Sequence, residues 1–251
     1  MIKIIILAII QGFTEFLPIS SSGHLAILEN FMGIAEPVSV AAFLHLGTFL
    51  ATIFFFKQEI VQLLHGVFKK KPQMLNYLLY IIIGNIPIVI FVVLFRDFIE
   101  ATFTDIKLVI IFLGITGMVV LLTSIVKKGT KQISFINALS IGVGQMFAVF
   151  PGLSRSGLTI AVGFYSKVDP QEAFRFSFLL SLPAVFGANL LELKEITNSP
   201  NPIELVIGLL ISFISGYIAL KILRALVQRW FYIFGYYCLL ISFILLLILI
   251  I

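Results

Sequence analysis

Within ten residues, Glu15, Ser20, Ser21, Ser22 and His24 bring together a carboxylate, three hydroxyls and an imidazole. A hydroxyl near an imidazole near a carboxylate is a nucleophile with its base and its orienting group. If a helix starts at Ser20, Ser21 and His24 stand three apart on one face of it. Glu15 follows Gln11 by four residues, again on one face. The same carboxylate beside a phosphate could instead hold a divalent cation. Further along, Arg155 sits between Ser154 and Ser156, with Thr159 one turn beyond. A guanidinium is planar and suits phosphate oxygens. Ser20 and Ser154 each follow a proline break and precede apolar helical residues, which is an N-cap context. The free N–H groups of such helix starts attract anions, phosphate above all. Ser20, Ser22, Gly23, Ser154, Ser156 and Thr159 are therefore expected to cradle phosphate, beside reactive Glu15, Ser21, His24 and Arg155.

The elements that carry these residues must live in lipid. Of 251 residues, 60% are hydrophobic, 12% are charged and 26 are Phe. A soluble domain of this size could not hide so much apolar surface. No small-residue cleavage site follows the first apolar run. The lone Cys238 excludes an internal disulfide and a cysteine metal cluster. Apolar runs of about 20 residues, long enough to span, fall near 38–56, 76–95, 107–126, 170–191, 202–220 and 231–251. Residues 1–31 and 133–166 are instead broken by "PISSSG" and "PGLSRSG". Each half is too short to cross a bilayer, so each region is expected to form a re-entrant hairpin, its broken backbone sheltered by protein or a wet cavity.

Charge supports this layout. With re-entrant hairpins, the stretches 57–75, 127–132, 167–175 and 221–229 become loops on one side and hold twelve of the seventeen Lys and Arg residues. Lys3, Arg96, Lys107 and Lys194 lie opposite, with eight of the twelve acids, among them Glu36, Asp97 and Asp105. The basic side is expected to be cytoplasmic, which puts both termini outside.

Slid by 134 residues, the two polar stretches align without a gap: Gln11 on Gln145, Phe16 on Phe150, and Ser20, Ser22 and Gly23 on Ser154, Ser156 and Gly157. Each copy is a hairpin followed by three spans. Three is odd, so the second copy is inverted relative to the first. The chain is expected to be one all-α integral membrane domain, 1–251, with six transmembrane helices and two re-entrant helical hairpins in an inverted-topology repeat (1–126 and 133–251). Glu15, Ser21 and His24 face Val149, Arg155 and Leu158 in the other copy, so the two halves have taken different roles. Structural neutralisation among Glu15, His24 and Arg155 is the competing reading; the cost of ionisable groups at membrane depth favours function. Elsewhere, His45 lines the site or packs between helices, Asn85 repairs the kink at Pro87, and Arg175 snorkels at a helix end. Lys69–Lys71 is a run facing lipid headgroups, with no sign of nucleic-acid binding.

"QGFTEFLPISSSGHL" together with "PGLSRSGLT" resembles the undecaprenyl-diphosphate phosphatase family of the bacitracin-resistance type. Gln11, Glu15, Pro18, Ser20, Ser21, Ser22, Gly23 and His24 fill its first motif, and Pro151, Gly152, Ser154, Arg155 and Ser156 its second. The resemblance implies removal of the terminal phosphate of undecaprenyl diphosphate at the outer face of the cytoplasmic membrane, recycling the carrier lipid for cell-wall polymers and conferring bacitracin resistance. It implies Glu15, Ser21, His24 and Arg155 as catalytic, with Ser21, His24 or water as the attacking group. It also implies a divalent cation, Mg²⁺ or Ca²⁺, near Glu15 and Gln11. Gln11 stands where many members carry Glu, which weakens a two-carboxylate metal site. The expected partners are the polyprenyl diphosphate, membrane lipids and a second copy of the chain as a homodimer. The rival function is a transporter that flips undecaprenyl phosphate, since inverted repeats with broken helices also build transporters.

Overall fold

The computed structural model describes residues 1–32, 38–194 and 201–250, so Glu36 lies outside the described residues. The described residues are mostly helical: α1 Ile2–Phe16, α2 Ser21–Met32, α3 Val38–Phe55, α4 Lys57–Phe68, α5 Pro72–Phe103, α6 Ile106–Leu122, α7 Phe135–Phe147, α8 Arg155–Tyr165, α9 Pro170–Lys194, α10 Pro202–Leu226 and α11 Ile233–Ile250. Among the described residues the one β-type pairing is a bridge between Lys131 and Val168.

Four helices, within α5, α6, α9 and α10, are long and apolar enough to cross a membrane, and a fifth span arises if α3 and α4 count as one. In α5 only 17% of the apolar window is buried by protein. The rest of that surface needs lipid. α11 is apolar, but its Ile233–Leu249 stretch is shorter than these spans. The chain is thus an all-helical, multi-pass membrane protein.

Two expectations are corrected. The stretch after residue 56 does not remain a loop: α4 leaves α3 at 67° and exposes Val61, Leu64 and Phe68. Its apolar residues recur at helical spacing, which makes it an amphipathic helix. Asn85 does not repair the break at Pro87, where the missing N–H orphans the carbonyl of Ile83. Its amide donates to the carbonyls of Ile81 and Leu180 at 2.9 and 3.0 Å, tying α5 to α9.

Helix pairing crosses between the halves. α1 packs on α10, α7 packs on α5, and α6 packs on α11. α1 and α7 therefore each rest on a long apolar helix of the other half, α10 and α5. Small residues permit the approach, as membrane packing requires. A Cβ on Gly12 would lie 2.8 Å from the Gly216 nitrogen, and one on Gly142 2.2 Å from the Gly84 carbonyl oxygen. Phe16, Phe56, Phe174 and Phe178 form a buried aromatic cluster with half-buried Phe55, with ring centroids 4.9–6.2 Å apart.

Candidate active site

Both hairpins break where the prolines stand, and both breaks are capped alike. The Ser20 hydroxyl accepts from the Gly23 N–H at 3.2 Å and lies 3.3 Å from the Ser22 hydroxyl. The Ser154 hydroxyl accepts from the Gly157 N–H at 3.1 Å and lies 3.3 Å from the Ser156 hydroxyl. The last helix of the opposite half secures each break. Thr116 of α6 donates to the Gly152 carbonyl at 2.8 Å, and Cys238 of α11 reaches the Pro18 carbonyl at 3.6 Å. Pro18 and Gly152 are themselves equivalent under the 134-residue shift.

The tips touch each other. A Cβ on Gly23 would lie 3.1 Å from the Gly152 Cα. Gly152 adopts φ +95°, and a Cβ there would meet the Val109 carbonyl oxygen at 2.3 Å. Ser20 also sits in the left-handed region at φ +68°. A side-chain-bearing residue held there is strained, and such strain gathers at functional sites. The equivalent Ser154 is extended at φ −79°, yet α2 and α8 begin at equivalent positions, Ser21 and Arg155, each just after its serine.

Across the touching tips, Arg155 Nη2 donates to Glu15 Oε1 at 2.7 Å. The Ser21 hydroxyl donates to Glu15 Oε2 at 2.8 Å, and the Gln11 amide donates to the same oxygen at 3.3 Å. The Arg155 guanidinium lies over the Phe178 ring, 5.5 Å from its centroid. Arg155 Nη1 and Gln11 Oε1 are buried without a hydrogen-bond partner. A cavity of about 140 Å³ opens here, lined by Thr14, Glu15, Ser20, Ser21, Ser22, Ala148, Leu153, Ser154 and Arg155. An unmatched guanidinium donor beside hydroxyls and helix starts is what an anionic oxygen would satisfy.

Not every expected residue joins this group. His24 turns away from it, its Nδ1 2.8 Å from the Ser20 carbonyl and its Nε2 2.8 Å from the Tyr237 hydroxyl. The expected relay from Ser21 to His24 is therefore not formed; the hydrogen-bonded acceptor of Ser21 is Glu15. Thr159 is fully buried, donates to the Arg155 carbonyl at 2.7 Å and meets Ser177 of α9. It does not line the cavity, because one full turn along α8 points it at α9. Ser156 lies behind the tip, 3.4 Å from the Leu17 carbonyl. His45 lies in the neighbourhood of Glu15. Ser20, Ser22 and Ser154, expected to bind phosphate, line the cavity. Tyr237 was missed, since nothing in its local sequence links it to a residue 213 positions away.

A second polar cavity, of about 180 Å³, opens beyond the aromatic cluster. Phe56, Glu59, Gln132, Asp169, Gln171, Glu172, Phe174, Arg175 and Arg224 line it. Arg175 does not merely snorkel: it pairs with buried Glu172 and lies over the Tyr77 ring, 5.6 Å from its centroid.

Comparison with known proteins places this geometry. The family described as bacitracin resistance protein BacA matches residues 4–244. An undecaprenyl-diphosphatase of Methanococcus maripaludis is 41% identical over 243 residues, covering 95% of this chain and 96% of its own. One from Thermosipho africanus is 41% identical, covering 96% and 97%. A third, from Halothermothrix orenii, is 38% identical, covering 94% and 93%. With near-complete coverage in both directions, and with both serine-rich breaks inside the matched region, the chain belongs to the bacitracin resistance protein BacA family.

Proposed function

We propose that this protein hydrolyses undecaprenyl diphosphate to undecaprenyl phosphate and inorganic phosphate, acting at the meeting point of its two hairpins. Family membership gives the reaction. The observation that carries the assignment of residues is Glu15 held between Arg155 and Ser21 on the wall of a polar cavity.

The terminal phosphate enters the cavity with the prenyl chain lying among the apolar helices. Arg155 Nη1 and the open N–H groups at the starts of α2 and α8 receive its oxygens. Ser21 Oγ attacks the terminal phosphorus, and its proton passes to Glu15. The bond from phosphorus to the bridging oxygen breaks, and undecaprenyl phosphate leaves. Glu15 hands that proton to the departing lipid phosphate. Water then attacks the phosphoserine; its proton passes to Glu15 and on to Ser21 Oγ as the bond from phosphorus to that oxygen breaks, and inorganic phosphate is released. Positioning and charge neutralisation supply most of the catalysis in such transfers. The Ser21–Glu15 hydrogen bond supports Ser21 as nucleophile over His24, whose two nitrogens are engaged elsewhere.

Glu15 and the unpartnered Gln11 Oε1 are the oxygens that would hold a divalent cation, Mg²⁺ or Ca²⁺. Among the described residues no three carboxylates, histidines or cysteines gather for a metal. Two protein oxygens suit a hard cation that keeps waters and shares substrate phosphates. When bound, it would neutralise phosphate charge.

The finer architecture proposed is six spans with two re-entrant hairpins, the second half inverted. The crossed pairing of α1 with α10 and α7 with α5 supports it. In this reading the protein sits in the cytoplasmic membrane with both termini and the site mouth outside. The N-terminal ammonium lies 2.7 Å from Glu204 at the start of α10, which supports a shared face. Glu59, Gln132, Gln171 and Arg224 share one cavity, which supports a common side for the four basic stretches.

Release of inorganic phosphate from the purified, detergent-solubilised protein, with and without chelator, tests both function and metal. Hydrolysis needs no second compartment, so a flippase without phosphatase activity releases no phosphate. Phosphate release that persists in chelator would remove the cation from the proposal.

A further inference from the structure

His24 is fixed by two hydrogen bonds whose roles can be assigned. The Ser20 carbonyl only accepts, so the Nδ1 at 2.8 Å from it carries the proton. In the neutral ring Nε2 then holds the lone pair, and the Tyr237 hydroxyl at 2.8 Å donates to it. The Tyr237 and His24 rings also stack, with centroids 5.7 Å apart and planes 7° apart. The hydroxyl sets the tautomer, and together with the near-parallel Tyr237 ring beside it fixes the rotamer and plane of the imidazole. The contact at the other end falls on Ser20, the residue in the left-handed conformation. Its neighbour Ser21 places its hydroxyl on Glu15.

We propose that Tyr237 is a positioning residue for the hydrolysis. From α11 its hydroxyl holds His24, His24 holds the Ser20 carbonyl, and the locked Ser20 conformation directs Ser21 at Glu15. The half of the chain that supplies Arg155 thereby also braces the hairpin that supplies the nucleophile. This rests on the phosphatase reading for its kinetic consequence, though not for the state of the imidazole.

The test is Tyr237→Phe, which keeps the stacked ring and removes the hydroxyl. Two quantities are read on the full-length protein in detergent. One is turnover on a polyprenyl diphosphate. The other is carbethoxylation of His24 by diethyl pyrocarbonate, which attacks the unprotonated imidazole nitrogen, mapped by peptide mass to separate His24 from His45 and His65. Losing one neutral hydrogen bond from the brace should lower kcat roughly three- to tenfold with KM within about twofold. Modification of His24 should speed several-fold, because Nε2 loses its cap. Unchanged modification of His24, turnover equal to that of the parent chain, or a loss confined to KM would each overturn the proposal. A parent chain that releases no phosphate would sink the phosphatase reading instead, and the modification rates would still report whether Tyr237 caps His24.

Discussion

Arg155 makes one contact to Glu15 and keeps a second nitrogen, Nη1, buried and unmatched. A lysine at 155 would preserve the charge and lose the fork. Arg155→Lys should therefore lower kcat/KM on the order of ten- to a hundredfold, the equivalent of one charge-assisted hydrogen bond in a buried site. Steady-state phosphate release measures it, and parental turnover would reduce Arg155 to a point charge. Ser21→Ala should cost more, roughly a hundredfold or above, because both the attacking oxygen and its bond to Glu15 disappear. Acid quenching during turnover should leave an acid-stable phosphate on the peptide containing Ser21 in the parent protein. Near-normal turnover of Ser21→Ala would pass the attack to His24 or to water. The cluster of Glu15, Ser21 and Arg155 was legible because residue type, spacing and the repeat all indicated it. The direction of His24 was not, since its rotamer is decided by a carbonyl in its own break and by a tyrosine on α11. Thr159 misled for a related reason: one turn along a helix preserves a face only approximately, and here that face meets α9.

At the scale of elements, both breaks were readable from proline, glycine and serine in mid-helix. α4 was overlooked because Lys57 at its start and Lys69, Lys70 and Lys71 just past its end invited reading the stretch as a charged loop, although its apolar residues recur at helical spacing. The pairing of α1 with α10 and α7 with α5 leaves no local mark; it follows from small residues far apart in the chain. Gly152 is where element packing and tip conformation meet. Gly152→Ala combines a positive φ with a clash against the Val109 carbonyl. It should destabilise the fold by about 2–4 kcal/mol, seen as a fall of several degrees in the midpoint of thermal unfolding in detergent. An unaltered midpoint would mean that α6 yields to the added methyl.

At the scale of the whole molecule, the distribution of basic residues predicts the orientation. Residues 127–132 and the other basic stretches should face the cytoplasm. Cysteine scanning checks this once buried Cys238 is replaced. A cysteine at Lys128 should resist an impermeant maleimide in intact cells and react after permeabilisation; reaction in intact cells would reverse the topology. That several apolar helices cross was legible from hydropathy: four are long and apolar enough, or five with α3 and α4 as one. How many of the helices cross was not, because α11 and both hairpins fall near or below the length at which composition alone decides.

Glu15 and Arg155 are 140 residues apart. A ribosome adding about 5–20 residues each second needs roughly seven to thirty seconds to cover that interval. Through that wait the first hairpin is made while its partner cation does not yet exist. An isolated carboxylate is poorly tolerated in hydrocarbon. A first hairpin dipping into the membrane would therefore have to linger near water or carry Glu15 protonated until the second half is made.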